Sequence, residues 1–424
     1  MASLTVVIPA YNEENGIKEI VERVLLVQKD LLKVGVSKFE LLVVDDGSRD
    51  KTAEITKKIA EEHPELRLIS HETNKGYGAA LKTGFNCAEG DLVGFLDADG
   101  TYPPEYFPQL CEVALRDANL VIGSRMAGAD SQMPMTRRVG NLFFANLLSI
   151  VGRQSVSDSA SGMRVFKKDI LEQIYPLPDG LNLTPVMSTR AVHEGIKMAE
   201  VPIPYSERVG RSKLSVTQDG TLFLQSMIWT ALSYNPVRLL GMLGLIGIGL
   251  ALMIALGLAV VRVQGDTTLE PWNVVALYIG AISGVAGISL FALGAMFNYL
   301  VSLFHKRPIR QGLFGKSLFK TPMEYHFGWF GLLALLIGFG IGLASLYLGL
   351  NGWDMDRLWL YGLGSAMSIL VGVQLIIYWV IIQTLEELKQ RDMLVASELL
   401  FEANTKPEAT AWSTEIPTNL TVME

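Results

Sequence analysis

Leu92-Val93-Gly94-Phe95-Leu96-Asp97-Ala98-Asp99 is an apolar run that ends abruptly in two carboxylates. A buried strand running into paired acids places negative charge at the carboxyl edge of a sheet, where open α/β folds bind ligands. Two carboxylates there are costly to desolvate unless a cation or a hydrogen-bond network offsets them. A hard divalent cation carrying a diphosphate ligand meets that requirement.

The pattern extends to both sides. Leu4–Ile8, Glu40–Val44, Leu66–Ser70, Leu92–Leu96 and Leu120–Gly123 read as strands, and Glu14–Leu32, Lys51–Glu62, Gly78–Ala88 and Glu105–Arg116 as helices. This alternation predicts a mainly parallel sheet covered on both faces, as do the nearly unbroken Val/Ile/Leu strands. Ser48 or Asp50 suits the cap of the second helix, and Pro103-Pro104 the opening of the fourth. A helix near Arg137–Ile150 and strands near Met163–Phe166 and Ala199–Ile203 follow; His193 and Glu194 read as surface residues of a helix.

The 424-residue chain is half hydrophobic, but unevenly so. Leu214–Tyr234 suits an amphipathic helix on a membrane surface or a packed core helix equally well. Val237–Val263, Trp272–Phe304, Phe327–Leu350 and Leu358–Thr384 then each meet the roughly 20 residues a bilayer requires. Lys306, Arg307, Arg310, Lys316 and Lys320 lie between the second and third spans. The other two connectors carry Asp266, Glu270, Asp354 and Asp356 against Arg357 alone. The positive-inside rule puts the basic loop, the first domain and the tail in the cytoplasm. The expected layout is a catalytic domain over 1–213, a juxtamembrane segment over 214–235, four spans within 236–385 and a partly disordered cytoplasmic tail over 386–424. The chain is then an integral membrane protein, in the plasma membrane if prokaryotic. The absence of a signal-peptide pattern and two reduced cysteines, Cys87 and Cys111, suit that orientation. A net charge of -7 argues against nucleic acid as the main partner.

Other strand ends are polar too. Pro9-Ala10-Tyr11-Asn12-Glu13 offers a ring to stack on a base and an acid for a base or ribose edge; Asp45-Asp46-Gly47-Ser48 offers further acids. In isolation either motif is equally an ordinary capped or acidic turn. Asn74-Lys75-Gly76-Tyr77-Gly78 gives a singly basic turn whose Lys75 suits a phosphate or solvent. Three strands ending in ligand-type residues on one edge are the signal. Mg²⁺ or Mn²⁺ fits there, held by Asp97 and Asp99 with diphosphate oxygens completing the shell. Gly123-Ser124-Arg125 adds a cation at the same edge, and Arg137, Arg138, Arg164, Arg208, Arg211 and Lys213 follow. Arginine forks match phosphate geometry.

Taken in order, Pro9–Glu13, Asp45–Ser48, Asn74–Gly78, Asp97–Asp99, Gly123–Arg125, Ser161–Arg164 and Arg208–Leu214 resemble family 2 glycosyltransferases. The likeness is greatest to polyprenyl-phosphate glycosyltransferases related to dolichol-phosphate mannose synthase and bactoprenol glucosyltransferase. The resemblance covers about residues 3–235. It implies a GT-A fold, a nucleotide-sugar donor of the UDP-glucose or GDP-mannose type, and inverting transfer of one sugar to a polyprenyl phosphate. It assigns Asp97, Asp99 and Arg125 to catalysis, with Pro9, Ala10, Tyr11, Glu13, Asp45, Asp46, Lys75 and Asp97 on the donor. Arg125, Arg138, Arg208 and Lys213 then meet the acceptor phosphate. Two departures stand out. Gly100-Thr101 replaces Leu-Gln after the acids, leaving Thr101 as the candidate third metal ligand, and Asp158-Ser159-Ala160-Ser161-Gly162 replaces Asp-Pro-Thr-Ser-Gly.

A processive polysaccharide synthase is the enzymatic alternative, but Gln225-Ser226-Met227-Ile228-Trp229 lacks the arginine of the Gln-x-x-Arg-Trp motif. A lipid-sugar transporter or scaffold with a degenerate transferase domain is disfavoured by the intact acids. The sugar, the nucleotide, the lipid and the oligomeric state, a homo-oligomer included, stay open.

Overall fold

The computed structural model describes residues 2–126, 133–151, 156–206, 216–264, 271–305, 323–353 and 355–405. It divides into two compact units, Met1–Leu239 and Leu240–Glu424.

The first unit is built on seven strands: β1 (Ala2–Ala10), β2 (Val36–Asp45), β3 (Leu66–Ser70), β4 (Leu92–Phe95), β5 (Leu120–Ser124), β6 (Arg164–Lys167) and β7 (Met198–Pro202). Their order is β3-β2-β1-β4-β6-β5-β7. All pairings are parallel except those of β6, which runs antiparallel to both β4 and β5. The helices are α1 (Ile17–Leu26), α2 (Gln28–Lys33), α3 (Thr52–Glu62), α4 (Tyr77–Cys87), α5 (Phe107–Arg116), α6 (Met135–Val151), α7 (Leu171–Ile174), α8 (Leu183–Glu194) and α9 (Val216–Tyr234). The stretch Glu14–Leu32, read as one helix, is two, with Val27 between them.

Both faces of the sheet are covered. Leu4, Val6, Ile8, Leu41 and Val43 pack in one core with Ile17, Ile20 and Val24 of α1 and Leu110 and Ala114 of α5. Val7, Leu42, Val44, Val93 and Phe95 face the other way, against Ala80, Leu81 and Phe85 of α4 and Val186, Met187 and Ala191 of α8. Alternate residues therefore enter different cores, so these strands carry no polar face.

His193 departs from the surface position expected of it. It is 3% exposed and stacks on Tyr234 with ring centroids 5.2 Å apart. Helix α8 is buried on nearly every side although it carries Thr184, Ser188 and Thr189. Ser188 and Thr189 donate to the carbonyls of Thr184 and Pro185, four residues back, which satisfies their hydroxyls inside the core.

The second unit holds α10 from Leu240 onward (the helix is Pro236–Val263), α11 (Pro271–His305), α12 (Phe327–Leu350) and α13 (Met355–Thr405). All four are long and apolar enough to cross a membrane. The last runs on to Thr405, well past the end near Thr384 that its hydropathy predicts; residues 386–405 are helical, and 406–424 lie outside the described residues. So do the basic connector from Lys306 to Lys320 and the acids Asp266, Glu270 and Asp354. Helices α10 and α11 meet through glycine: a Cβ on Gly244 would stand 2.6 Å from the carbonyl oxygen of Gly287. Such close backbone approach is how apolar helices gain packing where water supplies no driving force. Across to α13, Ser289 of α11 donates to Gln374 Oε1 at 2.8 Å.

Gly244→Leu is expected to destabilise the chain by about 1–3 kcal/mol through overpacking. Gly249→Leu, where a Cβ meets nothing within 4 Å, is expected to leave it unchanged. Thermal unfolding of the full chain in detergent separates the two.

Candidate active site

The carboxyl edge of the sheet is assembled by its loops holding one another. Asn12, with φ 52° in the left-handed region that asparagine tolerates, donates its N–H to Ser48 Oγ and accepts from the Arg49 N–H through Oδ1. The N–H groups of Glu13 and Glu14 donate to Thr52 Oγ1 and Asp50 Oδ2, and Asp50 also accepts the Thr52 N–H. The turns after β1 and β2 thereby form one polar shelf. Asp46 fixes the next loop: it accepts from the Lys75 N–H at 2.9 Å and the Gly76 N–H at 2.8 Å, with His71 Nδ1 at 2.7 Å.

A cleft of about 500 Å³ opens beside this shelf. Pro9, Ala10, Tyr11, Glu13, Asp46, Asp97, Asp99 and Arg125 all line it, so most of the residues expected from sequence share one space. Asp45, Lys75, Thr101 and Arg138 do not line it. Asp45 is buried behind the shelf and accepts the Ser48 N–H; the Lys75 side chain is exposed, and Arg138 is exposed on α6. Thr101 is buried, and its hydroxyl donates to Asp99 Oδ1 at 2.6 Å, which orients that carboxylate. Arg208 and Lys213 lie outside the described residues.

Asp97 is held from two sides. The Tyr77 hydroxyl at the start of α4 donates to its Oδ1 at 2.8 Å. On the other side, a Cβ on Gly162 would stand 2.6 Å from its Oδ2. Burial, with the Asp97 charge beside it, raises the Tyr77 pKa well above the usual phenol value and keeps it a donor. The Gly162 N–H in turn donates to the Tyr102 hydroxyl at 2.7 Å.

Arg125 follows β5 and enters a bidentate pair with Asp158, Nε to Oδ2 at 2.8 Å and Nη2 to Oδ1 at 2.7 Å, with its own N–H also on Oδ2. Burial alone would lower the arginine pKa, but the Asp158 charge reverses this and holds it well above its ordinary value. Burial likewise opposes ionisation of Asp158, and Arg125 keeps it below the usual aspartate range. The guanidinium lies 5.8 Å from the Tyr102 ring centre and 5.3 Å from that of Tyr205. Glu200 of β7 anchors the same loop by accepting the N–H groups of Ser157 and Asp158. Fully buried Arg164 braces it from below, donating to the carbonyls of Ser159 and Ser161; burial pushes its pKa down to about 10, so it stays charged at neutral pH.

The lining also has an apolar wall, with Phe144 of α6 packed edge to face on Phe223 of α9, and it includes Met133 and Leu181. Sequence reasoning missed this wall, and with it Tyr77, Tyr102, Asn141 and Gly162. Tyr77 and Gly162 stood inside motifs already singled out; the others carried no local signal.

Removing one partner of the buried pair leaves the other charge stranded, so Asp158→Asn is expected to cost about 3–5 kcal/mol. Arg125→Met on top of it should recover much of that loss. Because Asp158 has a depressed pKa when folded, its contribution is full above about pH 4 and is lost as pH falls through the lower folded value. Denaturation of the wild type and Asp158→Asn from pH 7 to pH 2 measures both effects.

Residues 5–175 match the model described as Glycosyl transferase family 2, and residues 236–396 match a Domain of unknown function (DUF8752). The chain is 32% identical over 225 residues to a dolichyl-phosphate hexose transferase of Haloferax volcanii, covering 53% of this chain and 92% of that protein. It is 31% identical over 319 residues to an undecaprenyl-phosphate 4-deoxy-4-formamido-L-arabinose transferase of Photorhabdus laumondii, covering 74% and 88%. With a mainly parallel GT-A-like sheet and these relatives, the chain belongs to the family 2 glycosyltransferases.

Proposed function

We propose that the chain transfers one hexose from a nucleotide-sugar donor to a polyprenyl phosphate, with inversion at the anomeric carbon. The observation that carries this reading is the mixed lining of one cleft, acids and a cation together with an aromatic pair. Tyr11, Glu13, Asp46, Asp97, Asp99 and Arg125 line it together with Phe144 and Phe223, whose rings pack edge to face with centroids 6.1 Å apart. The relatives named for dolichyl- and undecaprenyl-phosphate support the acceptor class.

In this reading the nucleoside rests on the shelf of Pro9, Ala10, Tyr11, Glu13 and Asp46, with Asp45 supporting it from behind and Lys75 outside it, and the diphosphate lies by Asp97 and Asp99. Among the described residues no group of three or more His, Cys, Asp and Glu side chains gathers to hold a metal ion. Two carboxylates with substrate phosphate oxygens are nonetheless the donor set Mg²⁺ or Mn²⁺ takes in nucleotide enzymes, so the pair fits such an ion. When bound, the ion offsets charge on the departing diphosphate.

Arg125 is assigned to the lipid phosphate from inside the cleft, with Arg138, Arg208 and Lys213 contributing from outside it. A phosphate monoester with a second pKa near ~6 is largely dianionic at neutral pH, so it attacks without a strong general base. Its oxygen forms the new bond to the anomeric carbon as the bond to the diphosphate oxygen breaks, and the electron pair leaves with the nucleoside diphosphate. Alignment and electrostatic stabilisation then supply the rate. The four apolar helices keep the catalytic unit where long prenyl chains are found. Exposed Trp272 at the start of α11 and Trp353 just beyond α12 suit a membrane interface, and the basic residues of the connector after α11 favour the catalytic unit and C-terminus on the cytoplasmic side.

Full-length protein in detergent, given labelled UDP-glucose or GDP-mannose and a polyprenyl phosphate, is expected to yield an organic-extractable product bearing one sugar. Chelation should stop it. Asp99→Asn should lower the rate by about 100-fold or more with the melting temperature little changed. Label found only in water-soluble or polymeric material would reject the proposal.

A further inference from the structure

Asn141 of α6 lines the cleft yet is only 5% exposed. Its Nδ2 donates to the carbonyl oxygen of Ser157 at 3.4 Å, and among the described residues its Oδ1 has no hydrogen-bond partner. That bond sets the amide orientation, since the opposite flip would face oxygen to oxygen. A buried carbonyl oxygen with no donor is costly, and native proteins rarely keep one without a use. Its neighbour Gly140 also lines the cleft, and a Cβ there would meet nothing within 4 Å, so the helix leaves open room beside the amide.

We propose that Asn141 is a specificity-determining residue whose Oδ1 accepts a hydrogen bond from a hydroxyl of the transferred sugar, an inference that rests on the glycosyl-transfer reading. The chemistry narrows the partner. A dianionic phosphate offers no donor, and neither does an isoprenoid chain. Base N–H groups and ribose hydroxyls belong at the shelf of Tyr11, Glu13 and Asp46, which comes from other elements. Sugar hydroxyls remain, and they donate freely. The terminal amide torsion of asparagine is broad, so a bound sugar can turn Oδ1 toward itself with no backbone movement, at the cost of the long 3.4 Å bond to Ser157.

The test compares wild type with Asn141→Leu, similar in size and without polar atoms. Three quantities are measured: kcat/KM for the donor of UDP-glucose and GDP-mannose that transfers, the same for its four monodeoxy analogues, and binding of sugar nucleotide against bare UDP or GDP. The variant is expected to lose about 10- to 100-fold in kcat/KM on the parent donor. With one deoxy analogue the two proteins should be equal. Bare nucleotide should bind both alike, and the variant should melt close to wild type, because removing the orphaned carbonyl offsets the loss of the long bond to Ser157. An equal loss on every analogue, or a large fall in melting temperature, overturns the proposal and makes Asn141 structural. The binding arm needs no transfer. If no lipid is labelled but the sugar nucleotide's advantage over bare nucleotide still shrinks in Asn141→Leu, the transfer reading fails alone. An undiminished advantage removes the role of Asn141.

Discussion

The buried pair of Arg125 and Asp158 is the interaction on which the site's geometry depends. Desolvating either charge alone costs several kcal/mol, and the bidentate geometry is what offsets it. The pair ties the end of β5 to the loop before β6, and Glu200 extends the tie to β7. That arrangement makes the antiparallel strand β6 part of the site: its leading loop brings Asp158 and Gly162 to the carboxyl edge, where no parallel crossover delivers them. A cation held in this way faces the cleft already oriented, so little ordering is required when an anion arrives.

The paired aspartates are positioned by different means. Asp97 is flanked by the Tyr77 hydroxyl and the bare Cα of Gly162, whereas Asp99 is oriented by the Thr101 hydroxyl two residues on. Thr101, expected as a candidate ligand, thus spends its hydroxyl inside the protein. Asp46, expected on the nucleotide, holds the loop of Lys75 and Gly76 with its carboxylate while still lining the cleft. Both residues build the site as well as face it.

Much of this was legible in the sequence because it rests on burial. Strands buried on both faces appear as unbroken apolar runs, and the acids that end them mark the ligand edge. Less legible was whatever depends on chain pairs far apart. The antiparallel direction of β6 has no local signature. His193 reads as a surface residue because nothing local shows that α8 is buried on nearly every side, with Ser188 and Thr189 bonded to carbonyls of their own helix. The extension of α13 was hidden by Glu386 and Glu387, which end the hydropathy signal although no Gly or Pro interrupts the chain from Val373 to Thr405. The apolar cleft wall of α6 and α9 reads as ordinary amphipathic helix until the two are brought together.

The account turns on two carboxylates that complete a divalent-ion shell only together with a diphosphate. Electron paramagnetic resonance of Mn²⁺ titrated into the full chain measures that directly, with and without UDP or GDP. The account predicts weak uptake by the protein alone, strong uptake with one nucleoside diphosphate, and loss of the added uptake when Asp97 and Asp99 are both replaced by asparagine. Equal uptake by that double variant and the wild type in the presence of nucleotide would contradict it.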